Sequence, residues 1–244
     1  MPSASVLTEA AIFGREHTTG RFLVETSDFA HEGGPRSDIL WQAMVSDLEL
    51  LACWRAGDQT AGSELFKRHF AGLYRFFVNK VDSEAEDLIQ RTLMACVRYR
   101  DGLERVTSFK AYLFTVARNE LYRHLRKRKP EGIDFTTDSV ADLGPSPATL
   151  LGDRQRDRLL LGALRSLPVE SQLLLELHYW EDLSTAELAA VLEVPHGTAK
   201  TRLRRAKQLL TEALRAGAEA SPDDGIDRWI RSMRARLQLG ESRP

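Results

Sequence analysis

The stretch STAELAAVLEVPHGTAKTRLRRAKQLL, residues 184–210, joins two unlike halves. Its first half is apolar and acidic, whereas its second half carries five basic residues and no acidic one. Ser184 and Glu187 have the spacing of a capping box, in which each side chain accepts a hydrogen bond from the other residue's backbone, so a helix should begin here. After a tight turn at 193–195, a second helix should turn one apolar seam inward: Ala199, Leu203, Ala206 and Leu210.

A short helix, a tight turn and a basic second helix predict a helix-turn-helix, whose second helix enters the DNA major groove. Arginine and lysine can pair with guanine edges, and threonine can contact bases or phosphate. Pro195 stands where a side-chain cap is usual, so the backbone and His196 should take over that role. The candidate DNA contacts are His196, Thr198, Lys200, Thr201, Arg202, Arg204 and Arg205. The plainer alternative is a helical hairpin whose basic side chains are only solvated.

A second basic segment lies at 118–129, with six basic residues and one acidic residue. Because the formal net charge of the whole chain is −1, the rest of the chain is acidic. Basic residues concentrated on two helices can focus positive potential even on a nearly neutral protein. The pattern therefore indicates a polyanion, most simply a nucleic acid, that is held at two places.

Apolar residues recur with a helical period in two parts of the chain, and no strand alternation is long enough to predict a sheet. We therefore predict an all-α fold with two small helical domains, at 44–129 and 154–216. A stretch rich in Pro, Gly, Ser and Asp at 130–153 should be a flexible linker between them.

Two extensions flank these domains. Residues 1–43 have weak periodicity and should hold little stable structure. The C-terminal extension, 217–244, has an amphipathic helical pattern that could fold back on the second domain or bind a partner. Its apolar residues are Ile226, Trp229, Ile230, Met233 and Leu237.

Several classes of function find no support in the sequence. The histidines are scattered, and no G-x-S-x-G, H-E-x-x-H or phosphate-binding glycine loop occurs, so we expect neither an enzyme nor a cofactor or metal site. Cys53 and Cys96 lie far apart within apolar helical patterns and should be buried thiols. No secretory signal or membrane span is apparent, and the expected compartment is the cytoplasm.

Both basic segments sit in longer motifs that resemble one family. LRSLPVESQLLLELHYWEDLS followed by the opening stretch is similar to the promoter-binding fourth region of bacterial extracytoplasmic-function (ECF) sigma factors. AEDLIQRTLMACVRYRD followed by SFKAYLFTVARNELYRHLRKRK resembles their second region, which holds the RNA polymerase clamp and opens the promoter. The resemblance covers about 47–215, with both regions in the family's order. Many members of the family begin near the position of Met44, so the resemblance makes Met44 a candidate alternative translation start.

The resemblance implies partners and roles. Core RNA polymerase would be bound through its β′ clamp and β flap, together with promoter DNA, and an anti-sigma factor is a further candidate partner. The helix-turn-helix residues would contact the upstream promoter element, and the loop at 101–108 would receive a base flipped out of the melting duplex. Candidate polymerase contacts are Asp87, Gln90, Arg91 and Thr92, with Arg91 where an acidic residue is usual. Candidate contacts to the start-proximal element are Arg118, Asn119, Tyr122, Arg123 and Arg126.

Two alternatives stay open at this level. Response-regulator-type transcription factors also end in a helix-turn-helix, so the chain could be a free-standing regulator that never becomes a polymerase subunit. The A-R-N helix with its basic end argues against that interpretation. A sigma-like protein that binds polymerase without binding promoters is the other alternative, because Arg91 and Pro195 depart from expectation.

Overall fold

Eight α-helices dominate the part of the chain that the structure, a computed structural model, describes: residues 45–81, 84–129, 131–141 and 155–217. They are α1 (Asp47–Arg55), α2 (Gln59–Val78), α3 (Ala85–Arg98), α4 (Phe109–Arg128), α5 (Gln155–Ser166), α6 (Val169–Tyr179), α7 (Thr185–Leu192) and α8 (His196–Gly217). The described residues contain no strand and only one isolated bridge, between Ser139 and Pro168. The predicted all-α fold is confirmed.

Side-chain caps start three of the first four helices. Ser46 forms a capping box with Glu49 at α1, while Asp58 and Ser108 accept backbone N–H bonds at the starts of α2 and α4. These caps satisfy donors that the first turn of a helix leaves without partners. The apolar faces of the four helices then meet in one core, whose largest fully buried side chains include Trp54, Phe77, Phe109 and Phe114.

A glycine sets the distance between α1 and α2. A Cβ atom added at Gly62 would lie 2.4 Å from Cδ1 of Trp54, closer than carbon atoms approach without displacement. The absent side chain therefore leaves room for the indole ring, which also meets Phe66 edge to face at 5.1 Å between ring centroids.

Two sequence predictions in this half need correction. The loop predicted at 101–108 is for the most part a distorted 3-10 helix (Arg100–Arg105), because Leu103 is buried and draws the segment onto the core. Cys53 is exposed rather than buried, since it lies on the solvent side of α1, whereas Cys96 is buried as predicted.

Helices α5 to α8 build the second half around the predicted seam. Ala199, Leu203, Ala206 and Leu210 are all buried. α8 packs on α5, α6 and α7, so this one helix holds the others together. No helix among the described residues is long and apolar enough to cross a membrane, and no cluster of His, Cys, Asp or Glu there could hold a metal ion.

The two halves belong to one compact unit, Val45–Pro244. α4 packs on α7, and the end of α2 reaches α6, where the buried Lys80 ammonium pairs with the buried Glu176 carboxylate. A second cluster joins Glu181 to Arg75 at 3.0 Å and to Lys110 at 3.5 Å.

A glycine also allows Glu181 to approach α2. A Cβ atom at Gly72 would lie 2.4 Å from Oε2 of Glu181, so no larger residue fits there without displacing that carboxylate.

Part of the predicted linker is packed. Residues 131–141 are described, and within them Phe135 and Val140 are buried. Several other predictions fall outside the described residues: the structure expected for 1–43, the start at Met44, the remainder of the linker and the C-terminal amphipathic helix.

Candidate nucleic-acid interface

The predicted helix-turn-helix is present as α7, a turn and α8. Ser184 Oγ accepts a hydrogen bond from the N–H of Glu187 at 3.2 Å, and the Ser184 N–H donates to the Glu187 carboxylate at 2.9 Å. α7 ends where Glu193 takes a left-handed conformation with φ of 56°, and the Val194 N–H donates back to the Ala189 carbonyl at 3.0 Å. Such a left-handed ending reverses the chain within a few residues and satisfies the last carbonyls of the helix.

Pro195, directly before α8, has no side-chain acceptor for the first N–H groups of the helix. Its carbonyl accepts the N–H of Ala199 at 3.0 Å, which is the first hydrogen bond of the helix. His196 anchors this end to the first helix of the motif, because its Nε2 lies 2.8 Å from Oγ1 of Thr185.

The seven residues predicted as upstream contacts lie on the accessible surface of the motif. Thr198 and Arg202 are half-buried, and the other five are exposed: His196, Lys200, Thr201, Arg204 and Arg205. A shallow groove of about 400 Å³ is lined by Gly197, Thr198, Thr201, Arg202 and Arg205. Hydroxyl and guanidinium groups along one groove can bond to base edges and to phosphate oxygens. Arg202 is already paired with Glu170 of α6.

A second basic surface lies on α4. Asn119, Arg123 and Arg126 are exposed there, beside a cleft of about 740 Å³ between α4 and the end of α7. The cleft is lined by Arg118, Asn119, Tyr122, Arg123, Arg126, Lys127, Leu192 and Glu193. Three exposed basic side chains at this cleft, Arg123, Arg126 and Lys127, favour an anionic chain such as a nucleic-acid strand.

Arg118 does not face this cleft as a free contact. It is only 6% exposed, and its guanidinium donates to the Val191 carbonyl and pairs with Glu193 at 3.1 Å. The cation thus closes the carboxyl end of α7, where helix carbonyls lack partners and a positive charge is favourable. In this arrangement Arg118 cannot contact DNA, because the second half of the chain covers it.

Tyr122 is covered as well. Phe135 stacks on its ring at 3.7 Å between centroids with an interplanar angle of 8°, and the Arg126 guanidinium lies 5.2 Å from the Phe135 centroid. Burial raises the pKa of the Tyr122 phenol. Sequence reasoning missed Phe135 and Glu170 as neighbours of the candidate contacts, since neither belongs to a basic or periodic motif.

The candidate polymerase contacts divide between two faces of α3. Asp87, Gln90 and Arg91 are exposed, and Asp87 pairs with Arg91 at 2.6 Å. Thr92 is fully buried, and its hydroxyl donates to the Leu88 carbonyl at 2.8 Å. The structure therefore brings three of the four residues together on one surface and leaves Thr92 in the core.

A helix-turn-helix and a second basic helix, both within the all-α part of the chain that the structure describes, are features of a DNA-binding protein. Family models match at both: "Sigma-70 region 2" over residues 65–131 and "Sigma-70, region 4" over residues 157–210. The ECF RNA polymerase sigma factor RpoE of Cereibacter sphaeroides is 35% identical over 161 residues, which cover 64% of this chain and 87% of that relative. SigF of Caulobacter vibrioides is 32% identical over 165 residues, covering 65% and 88%. The chain belongs to the ECF RNA polymerase sigma factors.

Solved structures agree on the fold. The structure of CnrH in complex with the cytosolic domain of CnrY matches with a TM-score of 0.52 and 23% identity, over 70% of this chain and 99% of that one. The sigma factor RpoE of Bartonella quintana, in complex with the anti-sigma factor NepR, matches with a TM-score of 0.50 and 27% identity, over 64% and 98%. The family models, the curated relatives and the match to RpoE do not favour the alternative of a free-standing regulator.

Proposed function

We propose that this chain binds core RNA polymerase and directs it to specific promoters through two DNA contacts. The observation that carries the proposal is the accessible basic face of α8 on a complete helix-turn-helix, in a chain whose other half supplies the basic helix α4. Two contacts on one polymerase-bound subunit would fix both the position and the direction of the enzyme on DNA. Because core RNA polymerase and promoter DNA are both cytoplasmic in bacteria, the protein would act in the cytoplasm.

The two halves divide the work in this proposal. The first domain, 44–129, joins polymerase and opens the start region, and the second, 154–216, anchors the upstream element. When both contacts form on the same promoter, the second would form at a high effective concentration and raise the overall affinity.

The polymerase contact is assigned to the exposed side of α3, through Asp87, Gln90 and Arg91. Met94, 44% exposed on the same helix, adds an apolar side chain to this face. Thr92 is left out of the contact because its side chain is internal. An anti-sigma factor would be a competitor for these surfaces, since a sigma factor of similar fold has been solved with one.

The start-proximal contact is assigned to Asn119, Tyr122, Arg123 and Arg126 on α4. Tyr122 can stack on an unpaired base once Phe135 moves away, and base-aromatic stacking contributes about 1–3 kcal/mol per base. Arg118 would join them only after the two halves separate.

Run-off transcription tests this function. Core polymerase from the source organism is supplied with genomic fragments, including the region upstream of the gene, with and without the protein. We expect discrete transcripts that need the protein and disappear with Arg202→Ala combined with Arg205→Ala. Phosphate contacts should also make promoter affinity fall steeply with salt, and the double variant should reduce that slope.

Matched controls separate the DNA contact from charge in general. Arg215→Ala removes one positive charge from an exposed position near the far end of the same helix and should leave the transcripts unchanged. Asp87→Ala with Gln90→Ala should abolish polymerase binding in a pull-down, whereas Glu212→Ala on exposed α8 surface should not. DNA binding by the free protein with no protein-dependent transcript would instead support a free-standing regulator.

A further inference from the structure

We infer that residues 133–140, here called the strap, are an intramolecular inhibitor that restrains one candidate DNA contact on each of the two surfaces until polymerase binds. The inference rests on the proposed function, because it concerns the same α4 and α8 side chains. The strap runs between the two halves of the chain and contacts both of them.

On one side, the strap occupies α4. Phe135 is 8% exposed, and its ring is stacked on the ring of Tyr122. The Arg126 guanidinium also lies over the Phe135 ring, in a cation–π contact. The Asp138 carboxylate accepts from the Lys129 ammonium at 3.0 Å, just beyond the end of α4. A base cannot stack on the face of Tyr122 that Phe135 covers. The strap thus takes the place of a ligand on the start-proximal surface.

On its other side, the strap caps α6. Pro168 precedes this helix and offers no side-chain cap, so the first N–H groups need other acceptors. The N–H of Val169 donates to the Asp138 carbonyl and the N–H of Glu170 donates to the Phe135 carbonyl, both at 2.9 Å. These two bonds fix the start of α6 to the strap.

The same cap connects the strap to the upstream surface. Glu170, whose backbone the strap holds, pairs with Arg202 of α8 through its carboxylate. An arginine paired with a carboxylate must exchange that partner for phosphate or guanine before it can bind DNA. One segment therefore restrains a candidate contact in each half: Tyr122 directly and Arg202 through Glu170.

Internal bonds give the strap a defined shape. Asp134 Oδ1 accepts from the Thr136 N–H at 2.9 Å, and the Asp138 N–H donates to the Asp134 carbonyl at 2.7 Å. Since Val140 at its far end is 1% exposed, the strap is packed at both Phe135 and Val140. It can act as a unit that is either docked or released.

Release should raise the affinity of the free protein for DNA. When only a fraction of molecules is competent to bind, the apparent dissociation constant is larger by the inverse of that fraction. Phe135→Ala removes the stacked ring. The free energy of an aromatic pair corresponds to at most about a tenfold change in an equilibrium constant, so the DNA affinity of the free chain should increase by about tenfold. Transcription with saturating polymerase should not change, because polymerase has already displaced the strap.

Hydrogen exchange of the full-length free protein reads the strap directly. The amides of Val169 and Glu170 depend on strap carbonyls, so they should be protected in the native chain and exchange much faster in Phe135→Ala. DNA affinity is measured in parallel on the promoter duplex found by run-off transcription or, where no promoter emerges, on a mixed-sequence duplex at low salt. Core polymerase added to the native chain should also accelerate exchange at these two amides.

Two further variants keep the result interpretable. Thr137→Ala changes an exposed strap side chain whose hydroxyl donates to the Asp134 carbonyl of the same segment, and it should behave as the native chain does. Asp138→Ala removes the acceptor for Lys129 while keeping the aromatic ring, so it provides the same test if Phe135→Ala fails to fold by circular dichroism.

Either of two results would overturn the inference: unprotected Val169 and Glu170 amides in the free native chain, or a released strap with unchanged DNA affinity. A missing transcript from the native protein would instead count against the proposed function, and the exchange data would still report on the strap.

Discussion

A buried ion pair at the boundary between the two halves offers a sharp energetic test. The side chain of Lys80 is fully buried, and Glu176 accepts hydrogen bonds from it, from Asn79 Nδ2 at 2.5 Å and from Gln172 Nε2 at 2.8 Å. Glu176→Gln keeps the shape of the side chain but removes its charge. Its amide NH₂ group would then face donor groups that the carboxylate accepts from in the native protein. Because breaking a buried pair leaves an uncompensated charge, the free energy of unfolding should fall by about 3–5 kcal/mol at neutral pH.

The loss should depend on pH with a definite sign. Burial lowers the pKa of Lys80 below its ordinary value of 10.5, and the nearby Glu176 carboxylate is what opposes that shift. Without the carboxylate, the folded variant binds fewer protons than the unfolded chain between the lowered pKa and 10.5. The stability of the variant therefore rises with pH in that window. Because the pKa of Lys80 falls further without the carboxylate than with it, this rise begins at a lower pH in the variant than in the native protein, and the difference between them should shrink toward alkaline pH.

Urea unfolding followed by circular dichroism, near pH 7 and near pH 9.5, measures both effects. Glu104→Gln, which removes the partner of Arg55 from an exposed pair, is the control and should leave stability nearly unchanged. Lys80→Met with Glu176→Leu should recover part of the loss, because the buried ammonium group is removed, while Asn79 and Gln172 lose the acceptor that they share. A loss below about 1 kcal/mol for Glu176→Gln, or one that persists at alkaline pH, would refute this account of the boundary.

Three other predictions concern the first half. Gly62→Ala should cost about 1–3 kcal/mol in urea unfolding by displacing the Trp54 ring, and a neutral result would contradict the close approach. Burial raises the pKa of the Cys96 thiol to about 12, so iodoacetamide at mildly alkaline pH should modify exposed Cys53 alone in the folded protein, as mass spectrometry would report. A hydrogen bond from His69 lowers the pKa of Asp47 below its usual 3.8. Asp47→Asn should therefore be less stable than the native chain near neutral pH. The difference in the free energy of unfolding should disappear as the pH falls through the lowered pKa. A difference in the free energy of unfolding that stays constant down to strongly acidic pH would argue against that hydrogen bond.

Much of the second half could be predicted because its signals are local. The spacing of Ala199, Leu203, Ala206 and Leu210 matches one face of a helix, and all four are buried. The S-x-x-E capping box correctly predicted the start of α7, because its donors and acceptors all lie within one turn of the helix.

The relations between the halves could not be predicted. Helical period places Arg118 on a half-polar face of α4 but does not say that α7 will cover it. Phe135 is a single aromatic residue among Asp and Thr, and its partner Tyr122 belongs to another element. The composition of 130–153 is typical of a flexible linker, yet carbonyl groups, which every residue has, hold its first part to α6. Such contacts depend on the folded arrangement rather than on a recognisable pattern.

Gly72 has a consequence for how related chains can vary. Its missing side chain is the space into which the Glu181 carboxylate fits, although the two positions lie in different halves of the protein. A larger residue at 72 would displace that carboxylate from its ion pairs with Arg75 and Lys110 unless the side chain at 181 became shorter. Among relatives that share this packing, the two positions should therefore covary: glycine at 72 with glutamate at 181, or a bulkier residue at 72 with a shorter side chain at 181.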